Sequence, residues 1–472
     1  MHRRPSTTGL LAAATLGVYV LVVVGATASL AEAATACGGW PGCTGGLASP
    51  GVAVALGHRA AAAVVGLVLS GTAVLAWPDL DRRARAALGV AVVLYPVQAA
   101  LGAMVAVGAD YAALHLPLAM AIFAATVLAL SWHLEAKTGT DDAPASAPRQ
   151  EPPFKELSLA EPPLEEPPLE EPPLEEPAPP SSLDGLERVT ATGRAYVELM
   201  KPRLMWLLCL VAGAGMALAG TPSVRVVVAT LGGGVLAIGA AGTFNHVLER
   251  DVDRRMARTA DRPVATRAVP VGNALAFGGL LTVAALAAFL SVNVLVAALG
   301  LAAIAFYSVV YTLVLKPHTV QNTVLGGAAG ALPALIGYAA VAGTPGVPGL
   351  ALAGVVFLWT PAHFYNLALA YRDDYERGGV PMLPVVRGET TTRKHVLLYL
   401  GATLLAASAL TALSGLGWLY AAVTVAVGAV FLLAVVRLHR ERTDAAALRA
   451  FHASNAYLGL LLVAVVLDAL AV

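Results

Sequence analysis

The chain is poor in cysteine, poor in charge, and carries no excess of charge of either sign. Three cysteines in 472 residues exclude a small secreted domain stapled by disulfides. Charged residues make up 13% of the chain, and 30 Lys and Arg balance 30 Asp and Glu. Soluble globular domains carry about 25% charged residues, so little here is suited to a water-facing surface. No basic patch is interleaved with the few aromatics, which removes the usual footprint of a nucleic-acid binder. What is abundant is apolar side chain. At 58% hydrophobic and a mean hydropathy of +0.73, the composition is that of an integral membrane protein.

Apolar runs long enough to cross a bilayer recur about thirteen times. Four precede residue 140, at roughly 9–31, 56–77, 84–107 and 112–133. Nine follow residue 200, at roughly 204–219, 226–245, 271–290, 294–315, 323–341, 350–370, 396–413, 418–436 and 451–471. Met1-His2-Arg3-Arg4 ahead of the first run, with Ala31-Glu32-Ala33 after it, imitates a secretory signal and its cleavage site. The run is longer than a signal core and three spans follow at once, so a retained first helix is expected. Lys and Arg concentrate in alternate loops, at 79–85, 249–267, 316–318, 372–394 and 437–449, with Arg225 the main exception. By the positive-inside rule this predicts a multi-pass plasma-membrane protein with a cytoplasmic N-terminus and an external C-terminus.

Between the two groups of spans the composition changes. Glu161-Pro162-Pro163-Leu164-Glu165 repeats with period five through Glu176, a pattern too rich in proline for a helix and too polar for a core. It reads as an acidic, extended spacer. The expected organisation is a four-span module at 1–137, a linker at 138–190 and a nine-span module at 191–472, all α-helical.

The residues that carry chemistry lie in the second module. Asn245, Glu249 and Asp253 are spaced four apart, so each helical step turns the side chain by only about 40°. An amide and two carboxylates thereby share one face at the end of a span, with Asp251 on the rim. Carboxylates are costly at membrane depth unless they hold a cation or face water. Three such oxygens suit Mg²⁺, which commonly bridges carboxylates to a substrate phosphate. Arg254, Arg255, Arg258 and Arg262 follow and supply the anion-binding half of such a site.

Two further polar islands occur in loops on the same side. One contains Tyr371, Arg372, Asp373, Asp374, Tyr375, Glu376 and Arg377; the other contains Tyr311, Lys316, Pro317, His318 and Asn322. Singly these are solvated loop charges. Jointly with the Asn245 motif they form two acidic clusters and a Lys/His cluster, the set that would share Mg²⁺ with a diphosphate and neutralise it as it leaves.

These strings resemble the UbiA-type intramembrane prenyltransferases, in the form of the protohaem IX farnesyltransferases (haem O synthases). Asn245-x3-Glu249-x3-Asp253 with Met256-x-Arg258-Thr259-x2-Arg262-Pro263 resembles the first acidic motif. Tyr311-Thr312-x2-Leu315-Lys316, Trp359-Thr360-Pro361-x-His363-Phe364 and Asp373-Asp374-Tyr375-x3-Gly379-Val380-Pro381-Met382-Leu383-Pro384 follow in family order. The resemblance implies a nine-helix bundle and transfer of a farnesyl group from farnesyl diphosphate to haem b, giving haem O and diphosphate. It implies Asn245, Glu249, Asp253 and Asp374 as Mg²⁺ ligands, and Asp373 and Lys316 as further catalytic groups. Arg258, Arg262, Tyr311, His363 and Tyr375 would contact substrate, His363 as haem ligand, base or packing residue. Two departures from the pattern are Pro317-His318 where an arginine often follows the lysine, and the adjacent Asp373-Asp374 in place of four-spaced aspartates.

The first module is similar to one half of haem A synthase, on Cys37-Gly38-Gly39-Trp40-Pro41-Gly42-Cys43, Gly57-His58-Arg59, Gln98-x2-Leu101-Gly102 and Leu114-His115-Leu116. That resemblance implies His58 and His115 as haem ligands and Cys37 and Cys43 as a disulfide or redox pair. Ala55 stands where the pattern has a carboxylate. A separate haem A synthase, or a second copy of this chain, would be the protein partner. Against these readings stand prenylation of a quinone or lipid precursor, and a haem carrier without catalysis.

Overall fold

In hydrocarbon every backbone N–H and C=O must be satisfied within the segment, and runs of Ala, Leu, Val and Gly do this as helices. The computed structural model describes residues 5–30, 36–37, 39–43, 49–108, 111–139 and 185–471. Among them, 13 helices are long and apolar enough to cross a membrane. The cleavage-like stretch 31–33 and the pentad repeat at 161–176 lie outside the described residues.

The first module comprises α1 (Thr7–Leu30), α2 (Pro50–Ala76), α3 (Arg82–Ala106) and α4 (Ala112–Thr138). The second begins with α5 (Gly185–Leu199), an amphipathic helix that starts inside the range expected for the spacer. It turns Tyr196 edge-on to Phe277, ring centroids 5.0 Å apart. Nine spans follow: α6 (Pro202–Ala219), α7 (Val224–Leu248), α8 (Val271–Leu290), α9 (Val294–Ala305, continued by Phe306–Leu315), α10 (Asn322–Ala342), α11 (Val347–Ala370), α12 (Glu389–Ser414), α13 (Trp418–Glu441) and α14 (Asp444–Ala471). The starts of α3, α7 and α9 are capped by side chains, as where Asn293 Oδ1 accepts from the Val296 N–H at 2.8 Å. Gly343 and Gly415 end α10 and α12 in the left-handed conformation, which glycine adopts without a Cβ penalty.

Lipid tails offer no hydrophobic gain for joining helices, so close backbone approach matters more. α6 and α10 show it: a Cβ on Gly337 would lie 1.9 Å from the Ala212 carbonyl oxygen, and one on Gly215 2.3 Å from that of Ala334.

The two modules share one apolar core. Tyr19, Phe123, Phe431 and Tyr457 belong to the same buried cluster, with α1 packed on α12 and α13 and α4 on α12. Polar links cross the seam: Tyr19 Oη donates to the Thr424 carbonyl at 3.2 Å, and Lys394 Nζ pairs with Glu135 Oε1 at 2.9 Å. With spans alternating in direction, that second link puts the ends of α1 (start) and α4 (finish) on the same face as the loops at 249–270, 316–322 and 371–388.

Candidate functional site

α7 does not run unbroken through its acidic face. It ends at Leu248, Glu249 caps it with φ −97° and ψ 2°, and a short helix, Arg250–Asp253, resumes. The four-residue spacing survives this hinge. Asn245, Glu249 and Asp253 are all buried, while the Asp251 side chain is 61% exposed and pairs with Arg250 and Arg254 on the rim.

Each buried oxygen group meets a cation from another element. Lys316 Nζ donates to Glu249 Oε1 at 2.6 Å. Arg262 Nη1 donates to both Asp253 oxygens, at 2.8 and 2.9 Å, and lies 3.9 Å from Glu249 Oε2. Lys201 Nζ donates to Asn245 Oδ1 and to Tyr307 Oη, the latter at 3.3 Å. Asn245 Nδ2 in turn donates to Thr312 Oγ1 at 3.1 Å. Three cations thus face two carboxylates, leaving one positive charge in surplus when all are ionised. Such a buried cluster costs several kcal/mol to desolvate and is suited to receiving an anion.

Two of these groups lie beyond the ends of the spans, and their protonation follows from this arrangement. Burial would raise the Glu249 carboxyl, but Lys316, Lys201 and Arg262 outweigh it and hold the group below its ordinary value. Burial, reinforced by Arg262, pushes the Lys201 amine down to about 7 against the pull of Glu249 and Asp253.

Beyond Ala305, α9 widens into π-helical turns over Phe306–Leu315, a geometry frequent at functional sites. Within these turns Thr312 bonds Asn245 of α7, Tyr307 reaches Lys201, and Tyr307 and Tyr311 stack with centroids 5.5 Å apart. Gly326 makes room, since a Cβ there would sit 2.7 Å from the Tyr311 ring.

The second acidic island joins the first through backbone. Asp374 accepts from the N–H groups of Ala257 and Arg258, at 3.1 and 3.2 Å, and pairs with Arg377. Partial burial would raise its carboxyl, but Arg377 and the two N–H groups keep it low. Arg258 lies over the rings of Tyr371 and Tyr375, 5.5 and 5.9 Å from their centroids. Asp373 is exposed and lines, with Arg258, Arg372 and Arg377, an open cavity of about 650 Å³.

His363 stands apart from this cluster. It is stacked between Trp359 and Phe451, both with centroids 4.3 Å away, and its Nδ1 lies 2.7 Å from Ser454 Oγ. In the first module Cys37 and Cys43 form a disulfide, Cα atoms 4.8 Å apart. Arg59 holds their loop by donating to the Pro41 and Gly42 carbonyls at 2.9 and 3.2 Å. His58 and His115 occupy glycine-made gaps: a Cβ on Gly25 would lie 3.1 Å from the His58 ring, and one on Gly102 3.0 Å from that of His115. Gln98 Nε2 is 3.1 Å from the His115 ring nitrogens, whereas His58 Nδ1 is buried without a partner.

Sequence reasoning missed Lys201 and Tyr307, and carried Thr312 within a motif without giving it a role. Lys201 sits in the left-handed conformation (φ 57°, ψ 58°) immediately before Pro202 and the first span of the module. The available signal was a pair of cations, Lys201 and Arg203, at a span entrance on the same face as the acidic motif.

Among the described residues no group of three or more His, Cys, Asp and Glu is placed to hold a metal ion. The oxygen donors present, the Asn245 amide and the Glu249 and Asp253 carboxylates, fit a hard cation that draws its remaining ligands from a substrate phosphate.

Known proteins share this architecture. The model of the UbiA prenyltransferase family matches residues 206–461. "Protoheme IX farnesyltransferase 1" of Natronomonas pharaonis is 67% identical over 464 residues, covering 98% of each chain. "Protoheme IX farnesyltransferase" of Haloarcula marismortui is 60% identical over 471 residues, again 98% of each. A solved structure from work on digeranylgeranylglyceryl phosphate synthase is similar in fold, with a TM-score of 0.51 and 14% identity over 60% of this chain and all of that one. On the matched family model and the near-complete alignment with these relatives, the chain is a member of the UbiA prenyltransferase family.

Proposed function

We propose that the chain transfers a farnesyl group from farnesyl diphosphate to a vinyl group of protohaem IX, giving haem O and diphosphate. The observation that carries this is a buried cluster of three cations and two carboxylates at a membrane helix end, in a chain 67% identical to a protoheme IX farnesyltransferase. The bond from farnesyl C1 to oxygen breaks, diphosphate leaves with the electron pair, and the vinyl group attacks the allylic cation. Water then adds to the carbon left electron-poor and gives up a proton.

Asn245, Glu249 and Asp253 would hold Mg²⁺, which when bound neutralises phosphate charge and polarises the leaving group. Lys201, Lys316 and Arg262, now paired with those oxygens, would turn to the diphosphate and stabilise its growing charge. Tyr307, Tyr311 and the Arg258–Tyr371–Tyr375 stack wall the site and keep water from the cation until carbon–carbon bonding is complete. Asp374 would act mainly by fixing the Ala257–Arg258 backbone, with Asp373 free at the rim to approach metal or substrate.

The first module would bind haem through His58 and His115, a reading supported by the glycine-made gaps around both rings and the unpartnered His58 Nδ1. It makes the chain a fusion of a farnesyltransferase with half of a haem A synthase-like unit, whose partner would be a haem A synthase or a second copy. The purified chain should then show a haem absorption band that His58→Ala or His115→Ala removes, and an unchanged band would sink the assignment. The site loops would face the cytoplasm. For the reaction itself, the full chain is offered farnesyl diphosphate with protohaem and an aromatic quinone precursor together. Farnesylated haem alone is expected; prenylation of the aromatic acid would transfer the chain to the quinone branch.

A further inference from the structure

At the seam between the modules, on the face that carries the site loops, lies a second cavity of about 380 Å³. It is within the ~300–1,000 Å³ range of small-molecule sites. Its lining includes Ser6, Thr8, Lys137, His439, Arg440 and Arg442, and among the described residues no carboxylate. Cations in the last turns of α4 and α13 complement helix dipoles, and Arg442 also donates to the Lys137 carbonyl at 3.3 Å. That accounts for cations at this place but not for what Lys137 and Arg440 face.

Three observations point to a ligand. His439 is fully buried, its Nδ1 lies 2.9 Å from the Val435 carbonyl, and its Nε2 has no partner. Ser6 Oγ caps α1 by accepting from the Gly9 N–H at 3.1 Å, which leaves its proton free to donate. Lys137 and Arg440 are exposed at the rim, and among the described residues neither has a carboxylate in ion-pair range. Neighbouring acids are engaged elsewhere: Glu135 by Lys394, Glu441 by Arg449, and Asp79 by the Thr7 hydroxyl next to Ser6.

We propose that this cavity binds a phosphate ester that also bears a hydroxyl, the chemistry of an anionic lipid headgroup such as phosphoglycerol. Lys137, Arg440 and the start of α1 with its Ser6 hydroxyl take the phosphate. With Nδ1–H directed at Val435, Nε2 accepts from the ligand's hydroxyl. The ligand would touch α1, α4 and α13 at once, and so fasten the first module to the second.

The test is the thermal unfolding midpoint of the full chain in neutral detergent, with dioleoylphosphatidylglycerol, dioleoylphosphatidic acid, dioleoylphosphatidylcholine or inorganic phosphate added. Wild type should rise by about 3 °C or more with phosphatidylglycerol and much less with phosphatidylcholine. Arg440→Gln, at an exposed rim position, should lose most of that rise, and Lys137→Gln with Arg440→Gln all of it. His439→Phe should abolish the preference of phosphatidylglycerol over phosphatidic acid. An equal response to inorganic phosphate, lost in the same variants, assigns the site to free phosphate rather than lipid. No rise with any anion, or equal rises in wild type and the Arg440→Gln variant, overturns the proposal.

Discussion

At the scale of single residues, the site is a set of charges that stabilise one another only as a group. Asp253→Asn leaves Arg262 facing a neutral amide and removes one of the carboxylates proposed to hold metal. Prenyl transfer should fall by about 10²-fold or more with protohaem binding retained, as turnover and haem titration on the same sample would show. Lys201→Met should raise KM for farnesyl diphosphate more than it lowers kcat, because Lys201 is read here as a phosphate contact; an unchanged KM would remove it from the site. Glu249 sets an acid limit. Its folded pKa is below the ordinary 4.5, so its contribution to stability is complete above about 4.5 and is lost as pH falls through the lowered value. Glu249→Gln should flatten the acid limb of unfolding midpoint against pH, and an unaltered limb would contradict the assignment. Asn245, Glu249 and Asp253 were legible in the sequence because period four survives even a broken helix. Lys201 was not, since cations before a span are what the positive-inside rule produces anyway, and only tertiary packing brings it to Asn245.

At the scale of elements, glycine decides how closely helices approach. Gly337→Ala should destabilise by about 1–3 kcal/mol, because its methyl would enter the Ala212 carbonyl of a helix that cannot step aside. Gly232 meets nothing within 4 Å, so Gly232→Ala should be neutral or stabilising by about 0.5–1 kcal/mol. Comparing the two midpoints in detergent checks the pair, and equal losses would refute the packing argument. The sequence showed both as glycines in apolar runs; which one touches a neighbour depends on rotation about the helix axis, which hydropathy does not fix. The same limit hid the π-helical turns at Phe306–Leu315. Their residues read as ordinary span, and the departure appears only once Tyr311 must fit over Gly326.

At the scale of the whole molecule, the number of spans was legible, because some twenty apolar residues in a row have few alternatives. The α5 helix was not, since its polar face continues the composition of the spacer. Nor was the shared core, since nothing local in α1 announces that Tyr19 will reach Thr424. Loop charge predicts the site face to be cytoplasmic. In a chain carrying Glu376→Cys, an impermeant maleimide should label that position only after the membrane is opened, and labelling from outside intact cells would reverse the orientation. Farnesyl transfer to haem is proposed to be driven by the Asn245, Glu249 and Asp253 cluster. The most direct test is mass analysis of haem extracted after incubating the full chain with Mg²⁺, farnesyl diphosphate and protohaem. Hydroxyethylfarnesyl haem should form with wild type and be nearly absent with Asp253→Asn. Unmodified haem in both, or equal product in both, would contradict the account.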